Sequence, residues 1–257
     1  MASAATTASN ERCLERARSF LREDVQSLTL RDGILDTLGE AFQMTSGQRS
    51  LDSRFRAWGY ERIRERLLPR FALMPSFSVE LSNAVDRLKL KRGETVLDLA
   101  CGQGNFSVEL AKRVGPEGLV IGVDVSGEML RRAVRRRERA GVENLLLVRG
   151  DALDLPLRAG VLRRLYCSGG LHQFPDLERA TTELRRVSLP GAHVALSGFA
   201  HLPDRTSFLQ RVFQRFEMNV VSLSDLGMQL ENVGFSDVHW EMGGPFIGYI
   251  WAQRETT

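Results

Sequence analysis

Residues 96–106 have the sequence Val-Leu-Asp-Leu-Ala-Cys-Gly-Gln-Gly-Asn-Phe, and this stretch decides the fold. An apolar run with one acid inside it ends at a Gly-X-Gly turn, after which Phe106, Val108 and Leu110 begin a helical pattern. The stretch therefore predicts a buried strand, a tight turn and a helix. Glycine lets a ligand approach the backbone of the turn, and the start of the helix offers free N–H groups. We expect a binding site for a nucleotide-type cofactor here.

Short apolar segments alternate with helical patterns along the following chain. Strands are predicted at 95–99, 119–124, 144–149, 161–167 and 192–199, with helices between most of them. Near the end, Gly243-Gly244-Pro245 separates two more strands, 238–242 and 246–252, after a helix for which Ser224 is the predicted N-cap. This order predicts an α/β fold, a doubly wound seven-stranded sheet that is mostly parallel and ends in an antiparallel hairpin.

The first 90 residues follow a different pattern. Residues 1–10 are small and polar, which is typical of a disordered tail. Apolar residues then recur at helical spacing from Glu11 to about Phe42, from Leu51 to Phe71 and from Val79 to Leu88. We expect a helical extension over residues 11–90, followed by a cofactor-binding core over residues 91–257.

Three acids lie in or directly after successive predicted strands: Asp98, Asp124 and Asp151. Ligands of open α/β sheets bind outside the carboxyl ends of the strands, so these acids belong to one edge. Asp124 is placed to accept hydrogen bonds from both hydroxyls of a ribose. Asp151 is placed to accept one from an exocyclic amine such as that of adenine, and Val125 and Met129 can enclose the base.

The turn after the first strand separates two cofactor classes. A nicotinamide dehydrogenase carries glycine at the third position of Gly-X-Gly-X-X-Gly, where this chain has Ser107. A pyrophosphate also gains nothing from a carboxylate such as Asp98. A cofactor with an ammonium or sulfonium charge fits Asp98 better, so the sequence favours S-adenosylmethionine over NAD.

Five motifs follow one another in the core. They are residues 96–106, Gly-Val-Asp-Val-Ser-Gly-Glu-Met-Leu (122–130), Gly-Asp-Ala-Leu-Asp-Leu-Pro (150–156), Gly-Leu-His-Gln-Phe-Pro-Asp (170–176) and Glu-Leu-Arg-Arg-Val-Ser-Leu-Pro-Gly (183–191). Together they resemble the class I S-adenosylmethionine-dependent methyltransferases. Within that class they are most similar to the branch with ubiquinone/menaquinone C-methyltransferases and natural-product methyltransferases. The resemblance covers roughly residues 90–255 and implies a Rossmann-like fold.

The resemblance implies a set of residues for binding S-adenosyl-L-methionine, which would leave as S-adenosyl-L-homocysteine. Those at the methionine end would be Asp98, Ala100, Cys101, Gly102, Gly104, Asn105 and Phe106. The ribose and adenine would contact Asp124, Val125, Met129, Gly150, Asp151 and Ala152, and the transferring methyl would lie near Cys167, Ser168 and His172. Two departures from the family pattern, Arg163-Arg164 and Leu189-Pro190-Gly191-Ala192, are expected to lie away from the cofactor.

Two histidines are candidate catalytic bases. His172 follows the fourth strand of the core and His201 follows the fifth, so both are expected near the point where acceptor and methyl meet. In the resembling family, a histidine at the position of His172 often lies beside the cofactor without acting as a base. This alternative stays open for His172.

The acceptor signal is aromatic and diffuse. Aromatic residues before the core and after its fifth strand can pack the N-terminal helices on the sheet, or they can line a substrate pocket beneath a lid of the kind that the resembling family has. The candidate substrate-binding residues are Phe55, Trp58, Tyr60, Phe208 and Phe213, with Phe216 and Met218 beside them.

Composition excludes several function classes. The apolar runs are too short to span a bilayer, and the three cysteines are widely spaced, which indicates free thiols, a reducing compartment and hence the cytoplasm. No acid pair or metal-ligand cluster indicates a metal. The basic run over residues 131–139 is expected to form a solvated helix face, not a nucleic-acid surface. We expect a monomer or homodimer that acts on a small molecule.

The sequence thus predicts methyl transfer to a small acceptor, such as an aromatic, polyketide or quinone-like compound, by in-line displacement. Two alternatives stay open. The chain could bind the cofactor and catalyse a cyclisation or rearrangement without transferring the methyl group, or it could be a binding-only regulatory protein.

Overall fold

The structure is a computed structural model that describes residues 4–39, 42–44, 75–201, 220–245 and 247–256, with the backbone alone for 4–7 and 201. Within these residues lie ten strands: β1 (Leu30–Arg31), β2 (Ile34–Asp36), β3 (Thr95–Leu99), β4 (Leu119–Asp124), β5 (Leu145–Arg149), β6 (Leu162–Ser168), β7 (Ser188–His201), β8 (Val221–Ser222), β9 (Phe235–Met242) and β10 (Ile247–Arg254). The α-helices are α1 (Ala4–Ala17), α2 (Phe77–Arg87), α3 (Asn105–Val114), α4 (Gly127–Ala140), α5 (Leu177–Val187) and α6 (Leu223–Asn232).

All ten strands join one sheet, in the order β1-β2-β5-β4-β3-β6-β7-β10-β9, with β8 paired to β7. The pairs from β2 to β7 along this order are parallel, and β10 runs antiparallel to both β7 and β9. Strand order reverses between β3 and β6, which creates the crevice where ligands of such sheets bind. The predicted α/β fold with its C-terminal hairpin is confirmed, and three short strands, β1, β2 and β8, extend the seven predicted ones.

Helices cover both faces of the sheet because its central strands are apolar on both sides. In β3, Leu97 and Leu99 belong to one core with α1, α5 and α6, whereas Val96 belongs to a second core with α2, α3 and α4. Alternating side chains of a strand point to opposite faces, so each central strand serves both cores. The carboxyl ends of β3, β4, β5 and β6 are left to form the site.

The N-terminal segment differs from the prediction in two ways. Helix α1 begins at Ala4, so the tail predicted over residues 1–10 is wrong from that residue on. Residues 30–36 form a two-stranded hairpin where a helix was predicted, because Asp32 and Gly33 both adopt positive φ (50° and 78°) and turn the chain. The hairpin places β2 beside β5 as part of the core sheet.

Two further predictions concern helices. The helix predicted from Val79 to Leu88 is present as α2, whereas the one predicted from Leu51 to Phe71 lies outside the described residues. Helix α6 is capped by Ser222, whose hydroxyl accepts a hydrogen bond from the Asp225 N–H, and not by the predicted Ser224.

Candidate functional site

Three residues in the loop between β3 and α3 adopt a backbone conformation that residues other than glycine rarely adopt. Ala100, Gly102 and Gly104 all have positive φ (55°, 54° and 74°). The Cys101 N–H donates to the Val123 carbonyl at 3.1 Å, which ties the loop to the end of β4. A Cβ on Gly104 would lie 3.0 Å from the Cβ of Ala133, so glycine lets α3 approach α4, whereas a Cβ on Gly102 would meet no atom within 4 Å. The loop thus presents open backbone at the crevice.

Asp124 joins this loop to the next one. It is the last residue of β4, and its carboxylate accepts the Gly102 N–H at 2.8 Å through Oδ2 and the Ser126 N–H at 2.9 Å through Oδ1. Two such backbone hydrogen bonds orient a carboxylate strongly. Asp124 is half-buried and lines a cleft, so it is placed to receive a polar ligand.

Asp98 lies beneath the loop rather than on the cleft. Its side chain is buried, and its Oδ2 accepts a hydrogen bond from the hydroxyl of Ser107 in the first turn of α3. Ser107 stands where a dinucleotide-binding turn has its third glycine. This contact lets Asp98 hold the loop in place, and the predicted contact of Asp98 with the cofactor stays a prediction.

The cleft also contains residues from the ends of β5 and β6. Six predicted cofactor residues line it together: Ala100, Asp124, Val125, Gly150, Asp151 and Ala152. Asp151 Oδ1 accepts the Leu153 N–H at 3.0 Å, which shapes the turn that follows β5. The structure therefore brings five of the six predicted ribose and adenine residues to one place, the exception being Met129.

Four lining residues that the prediction had missed come from the segment after β6. They are Gly170, Gln173, Phe174 and Pro175. A Cβ on Gly170 would lie 2.5 Å from the Cβ of Ala100, so the loops after β3 and β6 touch at this glycine. The signal was present in the motif Gly-Leu-His-Gln-Phe-Pro-Asp, of which the prediction had used His172 alone.

The remaining predicted cofactor residues are not among those lining the cleft. Cys101 is buried against Gly122, and burial, with Asp124 and Asp98 nearby, raises the pKa of its thiol well above the usual value. The ring of Phe106 lies between those of Phe77 and Tyr166, with centroids 4.7 and 5.2 Å apart. Gly102 and Gly104 shape the backbone of the loop, and Asn105 is the first residue of α3. Met129 and Cys167 have buried side chains.

His172 lies in a short 3-10 helix, Leu171–Gln173, and is 2% exposed. Its ring meets that of Phe199 edge-on with centroids 4.9 Å apart, and its Nε2 lies 3.3 Å from the Gln173 amide nitrogen. His201 is the last residue of β7, and the structure describes its backbone but not its side chain. The candidate substrate residues Phe55, Trp58, Tyr60, Phe208 and Phe213 also lie outside the described residues, as do Phe216 and Met218.

A buried polar row crosses the ends of β6, β7 and β10. Ser168 pairs in register with Ser197, and Ser197 with Tyr249, so the three side chains share one face of the sheet. The Ser197 hydroxyl donates to that of Ser168 at 3.2 Å, and the Tyr249 hydroxyl donates to Glu80 Oε1 at 3.3 Å. The row leads from Ser168, beside the β3 loop, to a buried carboxylate on α2. Sequence reasoning had found Ser168 alone, since Glu80 lies in an ordinary amphipathic helix.

The described residues also bear on metal binding and on membrane insertion. No group of three or more His, Cys, Asp or Glu side chains there is arranged to hold a metal ion. None of the helices in those ranges combines the length and the apolar composition that crossing a membrane requires.

Comparisons with known proteins bear on what this cleft does. Residues 96–191 match the model of a family described as a methyltransferase domain. The chain is 37% identical over 145 residues to a 2-phytyl-1,4-naphtoquinone methyltransferase of a Nostoc species, covering 55% of this chain and 62% of that one. It is 35% identical over 112 residues to a demethylmenaquinone methyltransferase of Oceanobacillus iheyensis, covering 44% and 47%. The chain thus spans about half to three fifths of the length of these curated relatives.

Solved structures show the same fold. A SAM-dependent methyltransferase from Aquifex aeolicus superposes with a TM-score of 0.59 at 23% identity, covering 81% of this chain and 97% of that one. A phosphoethanolamine N-methyltransferase from Haemonchus contortus gives a TM-score of 0.70 at 15% identity, covering 82% and 60%. The resemblance to methyltransferases predicted from the five motifs is confirmed by the family model and the curated relatives, and the solved structures confirm the predicted fold.

Proposed function

We propose that this chain, whose residues 96–191 match a methyltransferase domain, transfers a methyl group from S-adenosyl-L-methionine to a small quinone-type acceptor. The observation that carries the proposal is the geometry of Asp124. Its carboxylate is oriented by two backbone N–H groups at the carboxyl end of the second core strand, beside a glycine turn with open backbone. A ribose with two hydroxyl donors is the ligand that this arrangement suits.

The proposed contacts with the cofactor follow the lining of the cleft. Asp124 binds the ribose, while Val125, Asp151 and Ala152 enclose and recognise the adenine. The loop Ala100–Gly104 presents its backbone to the methionine end, where no Cβ at Gly102 stands in the way. When bound, the cofactor supplies an electrophilic methyl group on a positively charged sulfur. The chain's own contribution is to align the acceptor with that methyl and to exclude water.

The curated relatives support a class of acceptor. The names of two of them specify a phytyl-naphthoquinone and a demethylmenaquinone as substrates. Both are naphthoquinones, whose reduced form is an aromatic ring with two hydroxyl groups. The ring carbon between the carbon that bears the side chain and a carbon that bears a hydroxyl is then an activated nucleophile. We propose a reduced quinone-type ring as the acceptor, with Phe55, Trp58, Tyr60, Phe208 and Phe213 as the residues that contact it.

Carbon methylation of such a ring releases a proton from the reacting carbon. The electron pair of the nucleophile forms the new bond to the methyl, the pair of the broken bond stays on sulfur, and the proton goes to a base. His172 and His201 are the candidate bases, because both follow core strands at the edge that holds the cleft.

Product analysis tests the proposal. The purified chain is incubated with methyl-labelled S-adenosyl-L-methionine and either reduced 2-phytyl-1,4-naphthoquinone or reduced demethylmenaquinone. We expect label in the quinone and an equal amount of S-adenosyl-L-homocysteine. A rearranged acceptor without cofactor consumption would favour the cyclase alternative. Tight cofactor binding without turnover on either quinone would favour a binding-only protein, and no cofactor binding at all would contradict the site itself.

A further inference from the structure

Three neighbouring strands end on residues of alternating charge. Asp36, Arg149 and Asp124 are the last residues of β2, β5 and β4, and they are paired in register, Asp36 with Arg149 and Arg149 with Asp124. Residues paired across neighbouring strands point to the same face of a sheet. The Arg149 side chain therefore starts between two carboxylates, one of which is the proposed ribose ligand.

The guanidinium of Arg149 binds Asp36 and the loop after Asp124. Its Nη1 donates to Asp36 Oδ2 at 2.9 Å, and its Nε donates to the Val125 carbonyl oxygen at 3.3 Å. The Arg149 carbonyl in turn accepts the Thr37 N–H at 3.0 Å and the Thr37 hydroxyl at 2.8 Å. The second Asp36 oxygen accepts the Leu38 N–H at 3.1 Å. The end of β2 is thereby fixed to Arg149, and Arg149 to the cofactor cleft.

One peptide unit carries this contact to Asp124. The unit between Val125 and Ser126 offers its carbonyl oxygen to Arg149 and its N–H to Asp124 Oδ1, the latter at 2.9 Å. A trans peptide is planar and its C=O and N–H point in opposite directions, so fixing one end fixes the other. Arg149 therefore sets the direction of a hydrogen bond that orients the Asp124 carboxylate.

We propose that Asp36 and Arg149 are positioning residues for the ribose of the cofactor. Arg149 holds the Val125–Ser126 peptide, which aims the Asp124 carboxylate at the ribose hydroxyls. Asp36 pairs with the guanidinium and so keeps its charge from competing with the ribose for Asp124. The proposal rests on the proposed function, because it takes the ligand of Asp124 to be the nucleoside of S-adenosyl-L-methionine. It makes the hairpin at residues 30–36 a part of the cofactor site.

Calorimetry with two ligands tests this role. S-adenosyl-L-homocysteine and its 2′,3′-dideoxy analogue are titrated into the full chain and into Asp36→Asn, Arg149→Gln and the double variant. Neither ligand carries net charge, so altered protein charge does not by itself change their attraction to the site. We expect each single variant to bind S-adenosyl-L-homocysteine about tenfold more weakly, the loss of roughly one charge-assisted hydrogen bond, and the dideoxy analogue unchanged. The double variant should bind S-adenosyl-L-homocysteine no more weakly than the weaker-binding single variant, since both residues act through one contact.

A matched ion pair provides the control. Arg158 and Glu23 also join the N-terminal segment to the core, with 3.2 Å between Arg158 Nη2 and Glu23 Oε1, but neither is among the residues that contact the loop after Asp124. Glu23→Gln and Arg158→Gln should bind both ligands as the unchanged chain does. Should Arg149→Gln fail to fold, Arg149→Lys takes its place. It keeps a positive charge for Asp36 but lacks the second donor group with which the guanidinium also reaches the Val125 carbonyl. It should bind S-adenosyl-L-homocysteine about tenfold more weakly and the dideoxy analogue unchanged.

Three outcomes would overturn the proposal or its premise. Equal weakening of both ligands would mean that the two residues merely support the fold, and unchanged affinity in the variants would remove the role altogether. Failure of the unchanged chain to bind S-adenosyl-L-homocysteine would instead contradict the proposed function.

Discussion

Glu94 and Arg164 form a two-point ion pair at the amino edge of the sheet. Arg164 Nε donates to Glu94 Oε2 at 2.9 Å, and Arg164 Nη2 lies 2.7 Å from Glu94 Oε1. Their side chains are 19% (Glu94) and 9% (Arg164) exposed. Glu94 directly precedes β3 and Arg164 lies near the start of β6, so the pair joins the two central strands at the end opposite the cleft.

We expect Glu94→Gln to destabilise the fold without affecting the cofactor. Removing the carboxylate leaves the buried Arg164 guanidinium without its charge partner, which should cost about 2 kcal/mol given the partial exposure of Glu94. Urea unfolding measures this loss, and calorimetry should give an unchanged affinity for S-adenosyl-L-homocysteine. Glu109→Gln, which removes an exposed pair with Lys112 on α3, should cost less than about 1 kcal/mol. Equal losses for the two variants would contradict the importance of the Glu94 pair.

Asp124→Ala should weaken S-adenosyl-L-methionine binding at least about tenfold, equivalent to about 1.4 kcal/mol. The substitution removes the proposed ribose acceptor and also frees the N–H groups of Gly102 and Ser126, so the protein without ligand should lose about 2 kcal/mol of stability as well. Calorimetry and urea unfolding separate the two effects. Asp154→Ala, at an exposed aspartate that pairs with Arg22, is the control and should retain full affinity. An Asp124→Ala variant that is folded and binds normally would refute the cofactor site.

Gly170→Ala should disturb the cleft through a single added methyl group. Its Cβ would lie 2.5 Å from the Cβ of Ala100 and 3.1 Å from Cys167 Sγ, so the loops after β3 and β6 must move apart. We expect S-adenosyl-L-homocysteine binding to weaken about tenfold or more. Gly227→Ala in α6, where a Cβ meets nothing closer than 3.6 Å, should bind normally. Normal binding by Gly170→Ala would show that the two loops tolerate separation.

The thiols of Cys13 and Cys101 should resist alkylation in the native protein. Burial raises the pKa of Cys13 to about 11 and that of Cys101 well above its usual value, so neither forms the reactive thiolate at pH 8. The unfolded chain ionises the Cys13 thiol near pH 9, and the contribution of this thiol to stability is therefore present below that pH and lost as pH rises toward 11. Mass spectrometry after iodoacetamide treatment should find both residues modified in denaturant alone. Rapid native modification of either would mean that its segment opens readily.

The core of the fold was predictable because each strand carries its own signal. Apolar runs, glycine turns and strand-end acids repeat between residues 95 and 252, and parallel connections leave little freedom in the order. The hairpin at residues 30–36 was missed, although Asp32-Gly33 is a strong turn signal. Its strands are only two and three residues long, too short to show the alternation typical of a strand. Because Ile34, Leu35 and Leu38 also fit helical spacing, this segment was predicted as a helix.

The candidate site could be predicted where an acid lies at or just after the end of a strand, as Asp124 and Asp151 do. Such residues are recognisable because ligands of open α/β sheets bind outside the carboxyl ends of the strands, where these acids lie. Arg149 offered no such signal, because a basic last residue of a strand is equally typical of a solvated strand end. The role that we propose for Arg149 depends on Asp36, more than a hundred positions earlier, and on a peptide carbonyl, neither of which a local pattern contains.

The hairpin also closes one side of the sheet. Without β2, strand β5 would be the outermost strand on that side, and Leu145, Leu146, Leu147 and Val148 are all buried in the complete fold. An unprotected apolar edge recruits strands from other molecules. The 30–36 segment thus covers the edge of β5. We expect a chain shortened to begin after residue 40 to aggregate, even if every cofactor contact of the core were intact.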